Sequence, residues 1–401
     1  MQEKNYQQLL FDFTESKVFK AALFSIAGTT VLGNTIIAPS LPALEDHFSY
    51  LGTAAQTLSK LILTTPALIL IFFSPIAGII FEKFNRLKII YLALILWSIA
   101  GASGFFLDNI YLILFSRAVL GVATSFLMTG VGILLGDYYS GNRREKAIAL
   151  QTFFMAFGGA IFLILGGYLA NLNWKYPFLV YLLGFLILLF ATLNLFEPIR
   201  HTHHIQKSST TSFDFKKFIL IYFLAIFSMI CFYIAPTQIP FFMIHNLGMR
   251  QSSIGISMAT FSIAMAMGSL FYNQTRKIFN LQEIFFIAFS FTGIGFGAIS
   301  LLHNFIGVTI GFVCLGLALG FLTINNNAWL FMIATESERP RAYGFLASCM
   351  FAGQFLSPLF SQALVSQIGL LNTISSVSLA CFAICFIFYL KNIKKATINE
   401  G

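Results

Sequence analysis

The amino-acid sequence predicts an all-α integral membrane protein with 12 transmembrane helices in two six-helix pseudo-repeats, and three observations predict it. Of 401 residues, 58% are hydrophobic and 10% are charged, whereas soluble domains carry about 25% charged residues. A globule of this size with so few charges could not cover its surface, so soluble, disulfide-scaffold, disordered and coiled-coil classes are excluded. The apolar residues gather into long runs, each near the roughly 20 residues that cross a bilayer core as a helix. The basic residues fall into alternate connections between those runs, as the positive-inside rule requires.

In chain order the first six runs lie near 19–41, 56–80, 87–107, 110–136, 147–170 and 176–196. The second six lie near 217–243, 252–273, 282–302, 305–332, 342–366 and 371–391. Transmembrane strands would show as alternating segments of roughly ten residues, and these runs are too long and too uniformly apolar for that. The third and fourth are separated only by a short polar stretch containing Asp108 and Asn109, and Pro236 and Pro240 interrupt the seventh. Residues 1–16 are polar, so no cleavable signal peptide is expected ahead of the first run.

With the N-terminus cytoplasmic, all but four of the 24 lysines and arginines fall on the cytoplasmic side. The exceptions are Lys175 and Arg250 on the opposite side, and Lys60 and Arg117 inside predicted spans. Both termini are therefore expected in the cytoplasm. The net charge of +9 reads as a topology signal and not as a nucleic-acid surface. The five cysteines all fall within spans without metal-ligand spacing, so neither a disulfide nor a metal site is expected.

The longest connection, 197–216, is polar and holds His201, His203, His204 and a Ser/Thr run. It divides the chain into an N-terminal half (1–196), a cytoplasmic linker (197–216) and a C-terminal half (217–401). No metal site is expected on its short histidine tract. The halves echo each other: Gly78-Ile-Ile-Phe-Glu82-Lys83-Phe-Asn85-Arg86-Leu-Lys88 after the second run resembles Gly268-Ser-Leu-Phe-Tyr272-Asn-Gln-Thr-Arg276-Lys277 after the eighth. Asn142-Arg143-Arg144 has its counterpart in Arg339-Pro-Arg341. Internal repeats with a site at their interface are a recurring plan of transporters.

With these motifs the chain resembles the major facilitator superfamily along essentially its whole length. The 78–88 segment is similar to that family's cytoplasmic loop signature, with Glu82 in place of the usual aspartate and Asn85 in place of a glycine. Leu114-x-x-Arg117-x-x-x-Gly121 resembles its fourth-span signature. Gly159 and Gly166-Gly167 resemble its antiporter signature, although Phe162-Leu163 stands where Gly-Pro is usual. Ile36-Ile-Ala-Pro39-Ser-Leu-Pro42 and Trp174-Lys-Tyr-Pro177-Phe178 are similar to bacterial drug and metabolite exporters. The resemblance implies the major facilitator fold in a multi-pass protein of the bacterial inner membrane, a monomer without cofactor or metal. Its partners would be the lipid bilayer and a small-molecule substrate, and its activity efflux by alternating access, coupled to a proton gradient. A dedicated siderophore or sugar exporter and an uncoupled uptake facilitator remain as alternatives, as does a non-transporting membrane sensor. An enzyme is not expected, because His47, His245 and His303 are scattered without catalytic partners.

The resemblance points to candidate coupling and gating residues. Gly78 would let helices approach, and Glu82 would pair with Arg143 or Arg144 in a cytoplasmic latch that includes Arg86; loop charges that only set topology are the alternative. Arg117, within its span, would face a cavity or partner and couple protons to transport, or else snorkel to the interface. Lys60 would snorkel or contact an anion. Gly33 stands where many proton-linked exporters carry aspartate, and no Asp or Glu falls at a predicted membrane centre. Coupling would thus rest on Glu82, Asp137 or another helix-end group. The expected substrate wall is polar and aromatic: Asn34 and Thr35, then Tyr233, Thr237 and Gln238 on the seventh span broken by its prolines. Asn325, Asn326, Asn327, Trp329 and Gln354 complete it. Each polar member could equally serve in an interhelical hydrogen bond.

Overall fold

The computed structural model describes residues 13–198, 214–335 and 338–399, the side chains of Asn34, Asn142, Glu145, Pro340 and 387–399 excepted. The histidine tract His201, His203 and His204, the basic residues Lys4, Arg200 and Lys207, Glu336 and the Asn34 side chain lie outside the described residues. Among those described, secondary structure is entirely helical. The principal helices are α1 (Lys17–Thr35), α2 (Thr53–Lys83), α3 (Arg86–Ala102), α4 (Ile110–Tyr138), α5 (Gly141–Leu172) and α6 (Leu183–Asn194). They continue as α7 (Ile219–Phe241), α8 (Gln251–Ile278), α9 (Leu281–Leu302), α10 (Phe305–Ile333), α11 (Arg339–Ile368) and α12 (Leu370–Asn399). Among the described residues, eleven helical stretches are long and apolar enough to cross a membrane, and the apolar part of α12, Leu370–Phe386, is shorter. We call the end of the bundle that carries most basic residues the basic end, and its opposite the far end.

Prolines explain two departures from the expected spans. α1 stops at Thr35, and the crossing is completed by a 3₁₀ turn, Ala38–Ser40, and a short helix, Leu41–His47. Pro39 and Pro42 lack the backbone N–H of a continuous helix and clash with the preceding turn. α7, expected to break at Pro236 and Pro240, instead runs unbroken through both. Its irregularity appears only beyond them, as the π-helical turn Phe242–Asn246. Packed neighbours let buried helices carry proline. The sixth crossing is broken as well, a short helix (Tyr176–Leu179) and a 3₁₀ turn (Val180–Leu182) preceding α6.

The packing repeats at an offset of six helices. α1 packs on α5, α2 on α4 and α3 on α6, as α7 packs on α11, α8 on α10 and α9 on α12. Between these sets the broad contacts are α2 with α11 and α5 with α8, which exchange under the same offset. The α5–α8 crossing is backbone to backbone: a Cβ on Gly255 would lie 2.3 Å from the Leu163 carbonyl oxygen, and one on Gly167 2.6 Å from that of Gln251. Small residues allow such approach in membranes, where packing and not hydrophobicity drives association. Gly255→Leu is expected to separate these helices, at roughly the 1–3 kcal/mol of overpacking or more. A thermal-unfolding midpoint in detergent equal to that of the parent would contradict this.

Asn85, standing where the resembled motif has glycine, is the N-cap of α3: its Oδ1 accepts from Lys88 N at 3.0 Å. The Glu197 carboxylate also accepts from Arg86 N and Leu87 N, at 2.8 and 2.9 Å. A carboxylate is well placed at a helix N-terminus, where unpaired N–H groups and the helix dipole favour negative charge. The start of the 197–216 connection is thereby pinned to α3.

Candidate functional site: a central cavity and its two ends

A cavity of about 420 Å³ lies between the two sets of helices. α1 contributes Thr30, Val31 and Thr35, α7 contributes Phe232 and Tyr233, and α8 contributes Met258, Phe261, Ser262 and Met265. Met128, Met155, Phe312 and Phe351 complete an aromatic and thioether wall dotted with hydroxyls. Exposure of the lining is graded. Met128, toward the basic end of α4, is 48% exposed and Thr152 on α5 is exposed, whereas Leu163, Leu63 and Ala235, toward the far end, are 2%, 4% and 2% or less. The cavity therefore opens to the basic end and is closed at the far end.

The far-end closure is polar. Lys60 on α2, 3% exposed, donates to Gln362 Oε1 on α11, and its ammonium lies 4.4 Å from the Phe241 ring centroid. Gln362 Nε2 donates back across to Gln56 Oε1 at 2.8 Å. Gln238 Nε2 donates to Ser361 Oγ at 2.9 Å, bracing α7 on α11. Asp46 and His245 approach to 3.9 Å between the short helix and the end of α7. Asn171 Oδ1 accepts from Ser252 N at 3.3 Å where α5 meets α8. Lys60 does not snorkel, contrary to the sequence expectation, because a glutamine 302 residues away in the chain meets it. Glu45 stands beside this cluster: its Oε2 is buried with no hydrogen-bonding protein partner, within electrostatic reach of Lys60 and His245.

Arg117 is wholly buried and faces neither the cavity nor the interface. Its Nη2 donates to the Ala100 and Gly101 carbonyls at 3.0 and 2.7 Å, at the C-terminal turn of α3, where a cation suits the unpaired carbonyls. The guanidinium lies 5.0 Å from the ring centroids of both Phe178 and Tyr181. Tyr181 in turn donates to the Gly33 carbonyl at 2.9 Å. The arginine thus holds α3, α4 and the sixth crossing together, and through Tyr181 reaches α1 beside the cavity.

At the basic end, Arg86 and Asp137 form an ion pair at 2.5 Å between the start of α3 and the end of α4. Arg143 reaches the segment ahead of α1, donating from Nε to Glu15 Oε1 at 2.8 Å and from Nη2 to Thr14 Oγ1 at 3.2 Å. Glu15, which sequence reasoning did not single out, also pairs with Lys20. Lys20's hydrogen bond, then Arg143, holds its carboxyl below the usual range. The resulting strap is complete above the ordinary carboxylate pKa and is lost as pH falls through the lowered one. The protection of backbone amides around residues 14–16, taken relative to the intrinsic exchange rate at each pH, is expected to fall below about pH 4 and to stay level above it; a step near neutrality would contradict this assignment. Arg144 lies over Gly136, 3.5 Å from where a Cβ would stand, and Glu82 is exposed at the end of α2. Nothing lies within 4 Å of a Cβ on Gly78, so the close helix approach expected there is not made in this state, in which the basic end is open.

Of the expected wall, Thr35 and Tyr233 line the cavity. The others do not. Thr237 donates to its own helix at Tyr233 O, 2.5 Å away, and Gln238 belongs to the far-end closure. Asn325 is an interhelical strut: Tyr272 donates to its Oδ1 at 3.0 Å and its Nδ2 donates to Leu281 O at 2.9 Å. Asn326 is fully buried, with no hydrogen-bonding partner among the described residues on either side-chain atom. Asn327 donates to Thr323 O at 2.9 Å. Trp329 packs on Phe285 with centroids 5.3 Å apart. Gln354 is half-buried outside the lining, one turn from Phe351, which takes its place. The methionines and phenylalanines were missed because an apolar residue facing a cavity and one facing lipid look alike in sequence.

The family model of the Major Facilitator Superfamily matches this chain twice, over residues 23–220 and 218–400. Multidrug resistance protein 1 of Bacillus subtilis is 24% identical over 288 residues, 70% of this chain and 72% of its own. The bacillibactin exporter of Bacillus subtilis is 30% identical over 164 residues, 39% of this chain and 40% of its own. Among solved structures, an inward-facing, occupied bacterial homolog of the human lysosomal transporter Spinster aligns with a TM-score of 0.75 at 17% identity, covering 92% of this chain and 95% of that one. A D-xylose–proton symporter aligns with 0.72 at 15%, covering 92% and 97%. These likenesses show the fold. With a twice-matching family model over a twelve-helix bundle around one cavity, the chain belongs to the major facilitator superfamily: it is a multi-pass membrane transporter and not an enzyme.

Proposed function

We propose that this protein is a secondary active exporter of a small amphiphilic organic molecule across a bacterial inner membrane, with the basic end in the cytoplasm and both termini there. The observation that carries the reading is the cavity itself, apolar and aromatic with scattered hydroxyls, open to the basic end and closed by Lys60, Gln362 and Gln56. Its size falls in the range of roughly 300–1,000 Å³ typical of drug-sized ligand sites. In this reading the substrate enters from the cytoplasm, and the halves 1–196 and 217–401 rock so that the far end opens as the basic end closes. Names of relatives favour efflux: one is a multidrug resistance protein. The other's name favours a second reading, a dedicated siderophore exporter.

Protons supply the energy in this proposal. The groups available are Glu45 beside the far-end closure, and Asp137 and Glu82 at the basic end, since no lining residue of the cavity is an acid. Flux of a neutral amphiphile from proteoliposomes, with and without an imposed pH gradient, tests this. Expected is transport that rises with an inward proton gradient and collapses with a protonophore. Transport indifferent to the gradient would make the protein an uncoupled facilitator.

A further inference from the structure

We infer that the transported molecule is uncharged and that the cavity rejects lipophilic cations, so that export driven by protons moves net charge across the membrane. The inference rests on the amphiphile-exporter reading above and narrows its substrate class. Three observations carry it. Among the described side chains, the lining of the cavity, from Thr30 on α1 to Phe351 on α11, contains no charged group. The fully buried charged side chains among the described residues are both cations, Lys60 and Arg117, with the half-buried Glu45 beside Lys60. Each is on a helix that lines the cavity: Lys60 is one turn from Leu63 on α2, and Arg117 two turns from Thr124 on α4, or about 5 and 10 Å along the axis.

A permanent cation entering this space would leave its hydration shell, find no carboxylate among the described side chains of the wall to replace it, and meet the positive charge of Arg117 and that of Lys60, the latter offset in part by Glu45, through a medium of low dielectric. The aromatic faces of Phe232, Phe261 and Phe312 attract cations, but such contacts are weaker than the cost of taking an unpaired charge out of water. Nor is an anion favoured. Lys60 is engaged by Gln362, and Nη2 of Arg117, which faces away from the cavity, by the Ala100 and Gly101 carbonyls. Of the six lining hydroxyls, those of Thr30, Thr35, Thr124 and Thr152 donate to their own helix backbones, and those of Tyr233 and Ser262 are too few to solvate a carboxylate. A neutral molecule with an aromatic body and hydrogen-bond acceptors fits what is left. Exchanging such a molecule for a proton transfers one positive charge inward per turnover, so membrane potential alone would drive it; exchanging a monovalent cation for a proton would transfer none.

The probes are triphenylphosphine oxide, neutral, and methyltriphenylphosphonium, a cation of nearly the same shape. Binding to the detergent-purified full chain is measured by equilibrium dialysis, and flux in proteoliposomes under a valinomycin-set potential at zero pH gradient. Expected is binding of the oxide at least roughly tenfold tighter than the phosphonium, and oxide flux driven by potential alone. Equal or tighter phosphonium binding, or oxide flux indifferent to potential while a pH gradient drives it, would overturn the inference. Failure of both probes to bind would instead refute the amphiphile reading itself. Ser262→Asp, adding a carboxylate to the wall, is expected to reverse the preference, and Ser262→Asn to keep it; an Asp variant that folds and keeps the parent's preference would overturn the inference.

Discussion

Replacing Gln362 by leucine is expected to open the far end of the bundle, and replacing Lys60 by methionine to lock it shut. Gln362 supplies the acceptor for a lysine that is 3% exposed. In the leucine variant the closed state would bury an ammonium without its hydrogen bond, a penalty of about 1–3 kcal/mol or more for a charged group. The open state hydrates the same ammonium and loses nothing. A shift of that size moves the two populations by roughly tenfold to a hundredfold. Lys60→Met acts in the other sense, because an apolar side chain of similar length removes the cost of burying a charge in the closed state. Cysteine accessibility at Gln56, read with a membrane-impermeant thiol reagent in a background free of the native cysteines, distinguishes the two: faster labelling in Gln362→Leu, slower in Lys60→Met. The same direction of change in both variants would show that the lysine is not what tensions the gate.

Arg117→Ala is expected to lower stability by about 2–5 kcal/mol and to abolish transport, while the chain still inserts. The truncation strips the Ala100 and Gly101 carbonyls of their donor and leaves a space between Phe178 and Tyr181, and both deficits add. Arg117→Met separates packing from charge: it refills the space, so the unfolding midpoint should recover most of the loss, while flux should not. Tyr181→Phe removes the bond to Gly33 O and the hydroxyl's contact with Arg117 while keeping the ring, and is expected to cost about 1 kcal/mol or more. Full flux in Arg117→Met would reduce this arginine to a filler of volume between helices and contradict the coupling role that the sequence resemblance implied for it.

How much of this was legible in the sequence differs by element. The bundle was, because long apolar runs and one-sided basic residues follow directly from the bilayer's demands on length and charge. Helix interruptions were not legible: the first crossing, expected as one span, breaks at Pro39 and Pro42, whereas at Pro236 and Pro240, where a break was expected, neighbouring helices hold α7 straight. Polarity found Thr35 and Tyr233 on the cavity wall. It also selected Asn325 and Gln238, whose partners on other helices depend on tertiary contacts between residues 44 and 123 positions apart. Arg117 could be recognised as needing a partner, but backbone carbonyls of another helix leave no trace in residue identity. Lys60 illustrates the same limit: its acceptor belongs to the other half of the chain.

The central claim is that one cavity serves both sides of the membrane in turn, and paired distances test it most directly. Spin labels at Thr53 and Gln367 would report the far ends of α2 and α11, and labels at Lys83 and Tyr343 their basic ends. On adding a transported neutral amphiphile under an inward proton gradient in proteoliposomes, the far-end distance is expected to gain a longer population while the basic-end distance gains a shorter one. Both pairs lengthening together, or neither changing while flux proceeds, would contradict alternating access in this protein.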